Sequence, residues 1–155
     1  MSGLVLPSAA DTHALGIRLA AQLRPGDLVV LTGPLGAGKT VIAQGVGAGL
    51  AVSGRVVSPT FVIARVHRGG RLPLVHVDAY RLGSLAEVDD LDLDVDVEES
   101  VTIVEWGAGL VEQLTDEHLE IELTRLVDSD ERRAELRAYG PSWTDRVERL
   151  AETAD

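Results

Sequence analysis

Apolar residues recur along this chain in two rhythms, and the changes of rhythm mark its elements. Val5-Leu6 predicts a short first strand. Over Thr12–Leu23 the leucines at Leu15, Leu19 and Leu23 fall four residues apart, the spacing that lines one face of a helix. Ser8 or Asp11 can cap that helix, and Arg24-Pro25-Gly26-Asp27 reads as the turn that ends it. Leu28-Val29-Val30-Leu31 is apolar without interruption, as in a strand buried on both faces. Lys39–Leu50 predicts a second helix, although Gly45, Gly47 and Gly49 weaken it by propensity.

The second half reads mainly as strands. Val62–Val66 and Leu72–Val77 predict two strands of a hairpin turning at Arg68-Gly69-Gly70. Val101–Glu105 is a short apolar strand ending on a carboxylate. Leu119–Leu126 and Arg133–Ala138 predict two more, with the polar turn Asp128-Ser129-Asp130 between them, and Trp143–Ala151 predicts a closing amphipathic helix. There is no internal repeat and no linker, so residues 1–155 are expected to form one domain.

Composition narrows the possible functions. The net charge is −11, there is no cysteine, and only five residues are aromatic. Disulfide frameworks and thiolate metal sites are therefore excluded. An acidic, aromatic-poor chain also lacks both the basic surface and the stacking platforms that direct RNA or DNA binding uses. Much of the acidity is local: Glu87–Glu99 holds eight acids and no base. Asp92, Asp94 and Asp96 briefly suggest a calcium loop, but Val97 stands where that loop requires glycine. The segment reads instead as a solvated edge or a docking face for a basic partner. Residues 1–10 lack the basic start of a secretory signal, and apolar runs such as Leu28–Leu31 fall far short of the ~18 residues of a membrane span. A cytoplasmic protein with no membrane association is expected.

The chemistry centres on Gly33-Pro34-Leu35-Gly36-Ala37-Gly38-Lys39-Thr40, a full match to G-x-x-x-x-G-K-[ST]. Glycines at Gly33, Gly36 and Gly38, with small Ala37 between, let backbone N–H groups approach phosphate oxygens. A helix starting near Lys39 aims the positive end of its dipole at the anion. Lys39 is expected to reach the β- and γ-phosphates and the Thr40 hydroxyl to ligate magnesium. With a buried strand before it and a helix after it, the loop predicts an α/β fold of the P-loop NTPase type. That fold is a central mixed sheet flanked by helices, with antiparallel hairpin additions. Val41 occupies the place of the third glycine of a dinucleotide fingerprint, so a nucleoside triphosphate is favoured.

Such a site needs a carboxylate at the end of a neighbouring strand. Asp78, after Leu74–Val77, and Glu105, after Val101–Val104, both qualify. Glu105 is long enough to ligate metal directly or to orient a water, and the sequence leaves both open. Thr60, in Ser58-Pro59-Thr60-Phe61, could approach the γ-phosphate or the metal from the loop after the second helix. His76 shares a sheet face with Asp78 and reads as a core histidine as readily as a catalytic one.

Together these motifs resemble the TsaE family of bacterial ATPases. The resemblance rests on Gly33–Thr40, Ser58–Phe61 (SPTF), His76–Leu82 (HVDAYRL) and Val104–Trp106 (VEW), in that order, and runs from about Leu6 to Gly140. Gly107 stands where the family usually has proline. The resemblance implies an ATP- and Mg2+-dependent ATPase of tRNA threonylcarbamoyladenosine synthesis. In that family the ATPase acts on a heterodimer of TsaB and TsaD, and tRNA is engaged only indirectly, through the complex. It also implies roles: phosphates on Gly33–Thr40, metal on Thr40 and Glu105, a switch-like loop at Thr60, and Asp78 supporting metal and water. Tyr80, Arg81 and Trp106 would lie near the site or its partner surface, with Thr12 and Arg132 at the adenine end. Two other readings share the loop: a small-molecule kinase, and a non-catalytic module gated by nucleotide. The kinase reading lacks the usual basic lid, since no Arg or Lys occurs between Leu85 and Ser100.

Overall fold

The computed structural model describes residues 2–34, 38–53, 56, 64–78, 99–105, 117–125, 129 and 131–152. In chain order the elements are β1 (Ser2–Leu6), α1 (Ala9–Gln22), β2 (Leu28–Thr32), α2 (Lys39–Leu50), β3 (Ala64–His67), β4 (Leu74–Asp78) and β5 (Val101–Glu105). They are followed by β6 (His118–Arg125), β7 (Arg132–Tyr139) and α3 (Pro141–Glu152). The strands form one sheet in the order β1-β7-β6-β2-β5-β4-β3. Strands β6, β2, β5 and β4 run parallel, whereas β7 and β3 pair antiparallel with their neighbours, as does β1 with β7. This is the expected mixed sheet with hairpin additions. The uninterrupted apolar run Leu28–Leu31 lies at its centre, paired on both sides, which is why neither face of that strand needed polar residues.

Side chains alternate across each strand, so Val29 and Leu31 of β2 share a face with Leu119, Ile121 and Leu123 of β6 and Ile103 of β5. These pack in one core with Leu15 and Leu19 of α1, Ile42 and Val46 of α2, and Trp143 and Leu150 of α3. The first helix begins three residues before the predicted Thr12. Ser8 caps it with an extended backbone, taking the Asp11 N–H while Asp11 accepts the Ser8 N–H at 3.0 Å. That reciprocal pair satisfies two of the free donors at the helix start and moves the boundary forward.

The glycines of α2 have a packing role. A methyl on Gly45 would collide with the His13 carbonyl oxygen and lie 2.9 Å from the Cα of Gly16. A methyl on Gly49 would lie 2.5 Å from Ala20 Cβ. The helices α1 and α2 thus touch backbone to backbone, and the propensity lost in α2 is the cost of that approach. At the other end of the core, Arg146 of α3 is almost fully buried. Its guanidinium pairs with both oxygens of Asp27 (2.5 and 3.2 Å), donates to the Gln22 carbonyl at 3.1 Å, and stacks on Trp143. This ties α3 to the turn that leads into β2.

Candidate functional site

Parallel pairing sends the C-terminal ends of β6, β2, β5 and β4 in one direction. The Gly-rich loop leaves from the end of β2, so it emerges beside the ends of β5 and β6. Gly33 and Gly38 bracket it with φ of 141° and 106°, conformations that favour glycine. Gly38 is also the N-cap of α2, where a Cβ would be strained whatever the space around it. Leu35, Gly36 and Ala37 lie outside the described residues.

Lys39 opens α2 and is only 5% exposed. Its Nζ donates to the carbonyls of Gly33 at 2.6 Å and Pro34 at 3.0 Å. A buried ammonium must be partnered, and the loop's own backbone supplies part of that need. The result is a fixed positive charge folded onto the loop at the N-terminal end of a helix, where the dipole adds to it. Thr40, in the first turn of the same helix, is half-buried.

Thr12 and Arg132, far apart in the chain, come to the loop's helix end. A methyl at Gly38 would lie 3.5 Å from Thr12 Cγ2 and 3.9 Å from Arg132 Nε. Thr12 is buried and donates to the Ser8 carbonyl at 3.3 Å, while Arg132 donates to the Ser129 carbonyl at 3.2 Å. The structure therefore groups these two residues with the loop.

The strands that carry Glu105 and Asp78 end on the other side of β2 from β6. Leu31 of β2, Glu105 of β5 and Asp78 of β4 lie in register across adjacent strands. The backbone of Asp78 is thus at the same level as Glu105, one strand further out. Glu105 is buried, and its Oε2 lies 2.5 Å from Nε2 of His76, which is completely buried. This contact was not evident in the sequence. Its only signal was that His76 and Asp78 share a face of the strand paired with the strand carrying Glu105. Near this pair, burial, then His76, then Arg65 hold the pKa of His67 below its ordinary 6.5.

Thr60 with the rest of Ser58–Phe61, Tyr80, Arg81, Trp106 and the acidic run as far as Glu98 lie outside the described residues. Glu99 is exposed. Among the described residues no cluster of three or more His, Cys, Asp or Glu side chains could hold a metal unaided. No helix there is long and apolar enough to cross a membrane.

A G-x-x-x-x-G-K-[ST] loop joining the central parallel strand of a mixed sheet to a helix, beside strand-terminal carboxylates, places the chain in the phosphate-loop class of α/β proteins. Within that class it belongs to the TsaE family: the family model for Threonylcarbamoyl adenosine biosynthesis protein TsaE matches residues 6–134. Curated relatives named tRNA threonylcarbamoyladenosine biosynthesis protein TsaE include that of Streptomyces coelicolor. It is 56% identical over 135 residues, covering 83% of this chain and 91% of the relative. The Mycobacterium tuberculosis protein is 52% identical over 82% of this chain and 81% of its own. The Bacillus subtilis protein is 41% identical over 92% and 86%. Among solved structures, the crystal structure of Bacillus subtilis YdiB superposes with a TM-score of 0.81 at 32% identity, covering 99% of this chain and 96% of that one.

Proposed function

We propose that this chain is the Mg2+-dependent, ATP-binding and ATP-hydrolysing component of the machinery that makes N6-threonylcarbamoyladenosine in tRNA. It acts on a TsaB–TsaD complex to support repeated turnover. The observation that carries this reading is the buried Lys39, held against the Gly33 and Pro34 carbonyls at the start of α2. A mobile lysine would lose side-chain entropy on gripping a triphosphate; this one is already placed.

The backbone N–H groups of Gly33, Gly36, Ala37 and Gly38 receive phosphate oxygens, and Lys39 neutralises charge at the β and γ positions. Thr12, with Arg132 beside it, faces the adenine end. Thr40 and Glu105 fit a magnesium ion by the chemistry of their donors, a hydroxyl and a carboxylate, both hard oxygens. Glu105 also suits the task because His76 occupies one oxygen and a carboxylate carries a second. When bound, the ion neutralises charge building on the phosphate oxygens. Asp78 supports the metal and orients the attacking water, and Thr60 senses the γ-phosphate. The net charge of −11 fits a protein that leaves tRNA to its partners.

The test is ATP binding by calorimetry and phosphate release, for the chain alone and with TsaB and TsaD. Lys39→Ala removes a charge-assisted contact of ~1.5–3 kcal/mol, so ATP affinity should fall about 10–100-fold. The reading is overturned if no saturable ATP binding appears with or without the partners, or if Lys39→Ala binds ATP as the native chain does.

A further inference from the structure

We infer that His76 is a positioning residue for Glu105: it holds one carboxylate oxygen so that the other faces the metal and its waters. The inference rests on the proposed role of Glu105 as a magnesium ligand. The register of β4 and β5 brings the two side chains together. Asp78 lies opposite Glu105 and His76 opposite Ile103, so the imidazole reaches across one step of the sheet to meet the carboxylate. The contact between Nε2 and Oε2 is 2.5 Å, and the histidine has no exposed surface.

A hydrogen bond between these atoms needs one hydrogen. In the Nε2–H tautomer of His76 the ring nitrogen carries it and donates to Oε2 of Glu105. A glutamate side chain has three rotatable bonds, and an acceptor-only carboxylate at a strand end could turn either oxygen toward the loop. With Oε2 taken by an N–H from a fully buried ring, the plane of the carboxylate is set before metal arrives. Hydrogen bonds of this kind behind a metal's carboxylate ligand set its orientation. The neighbours of His76 along β4 are Val75 and Val77, both buried, so an apolar residue at this position would continue the strand without an unsatisfied nitrogen. Among the described residues His76 Nδ1 is buried with no hydrogen-bond partner. That cost is explained if the other nitrogen is needed at Glu105.

The readout is the affinity of the full chain for a fluorescent ADP analogue, measured in Mg2+ and again in EDTA. The ratio of the two affinities isolates the metal's contribution without any turnover. His76→Leu, similar in size but without a donor, should reduce that ratio by about 10–100-fold and leave the EDTA affinity unchanged. His76→Gln, whose amide nitrogen can occupy the Nε2 position, should restore most of it. In a Glu105→Gln background, His76→Leu should change nothing further. If His76→Leu does not fold, as judged by circular dichroism, His76→Asn replaces it, since its shorter amide withdraws the donor. The proposal is overturned if the His76 variant lowers both affinities equally, if the ratio is unmoved, or if the two substitutions act additively. Failure of the underlying reading looks different: the native chain shows no Mg2+ preference, or Glu105→Gln leaves its ratio intact.

Discussion

Replacing Gly45 by alanine sets two known effects against each other. In a helix interior, Gly→Ala should stabilise by ~1 kcal/mol through propensity. Here the added methyl collides with the His13 carbonyl oxygen, and it lies 2.9 Å from Gly16 Cα and 3.1 Å from the His13 carbonyl carbon. Overpacking of a core costs ~1–3 kcal/mol, and the obstacle is backbone that no rotamer change can move, so the upper end applies. The net expectation is a loss of ~2 kcal/mol, or a fall in Tm of ~4–8 °C for a chain of this size. Gly47→Ala provides the contrast. Its methyl would meet side-chain methyls, Val56 Cγ2 at 2.6 Å and Val52 Cγ2 at 3.4 Å, which can shift, so its net change should be much smaller. Urea unfolding followed by circular dichroism measures both, and the midpoint should fall with m unchanged. A Gly45→Ala protein as stable as the native chain, or more stable, would refute the reading that α1 and α2 meet through their backbones.

Three further outcomes are expected from the geometry. Arg146→Ala leaves Asp27 without its bidentate partner in a largely buried place and should cost ~3–5 kcal/mol in urea unfolding; a loss below ~1 kcal/mol would make the pair dispensable. Ser8→Ala removes the α1 cap and should cost ~1 kcal/mol in the same assay, whereas no change would show that the helix starts without it. His67, with its pKa held below 6.5 by burial first, favours the neutral form when folded; as pH falls through 6.5 the unfolded chain binds the proton first and stability drops until the folded value is passed. His67→Phe should flatten that fall between neutral and mildly acid pH, and an unchanged slope would assign it to other groups.

Local patterns made much of this fold legible. The unbroken run Leu28–Leu31 identified a strand covered on both sides, and the glycine-rich motif with its flanks identified the passage from β2 into α2. The four-residue leucine spacing found α1 but not its first turn, because Ala9 and Ala10 carry no periodic signal and the start is decided by the side-chain contact between Ser8 and Asp11. Gly45 and Gly49 looked like weak points of α2; only the apposition of a second helix shows what their missing side chains permit. Contacts across long stretches of chain were the least visible. Arg146 reads as one polar position of an amphipathic helix, yet it is buried on Asp27, 119 residues earlier. His76 and Glu105, 29 residues apart, meet only because β4 and β5 pair in parallel with a particular register, which no local pattern specifies.

The place of β1 in the sheet has a consequence for how the chain is assembled during synthesis. Among the described residues, Ser2–Leu6 pairs with β7 alone, at Arg132–Leu136. The central β2 likewise waits for β5 and β6. A ribosome therefore completes the glycine-rich bend at Thr40 well before it has made either strand that steadies the strand behind it. Of the described strands, the first to be made pairs only with the last, so β1 finds its neighbour late, and the core around Leu4 and Leu6 closes only when β7 arrives.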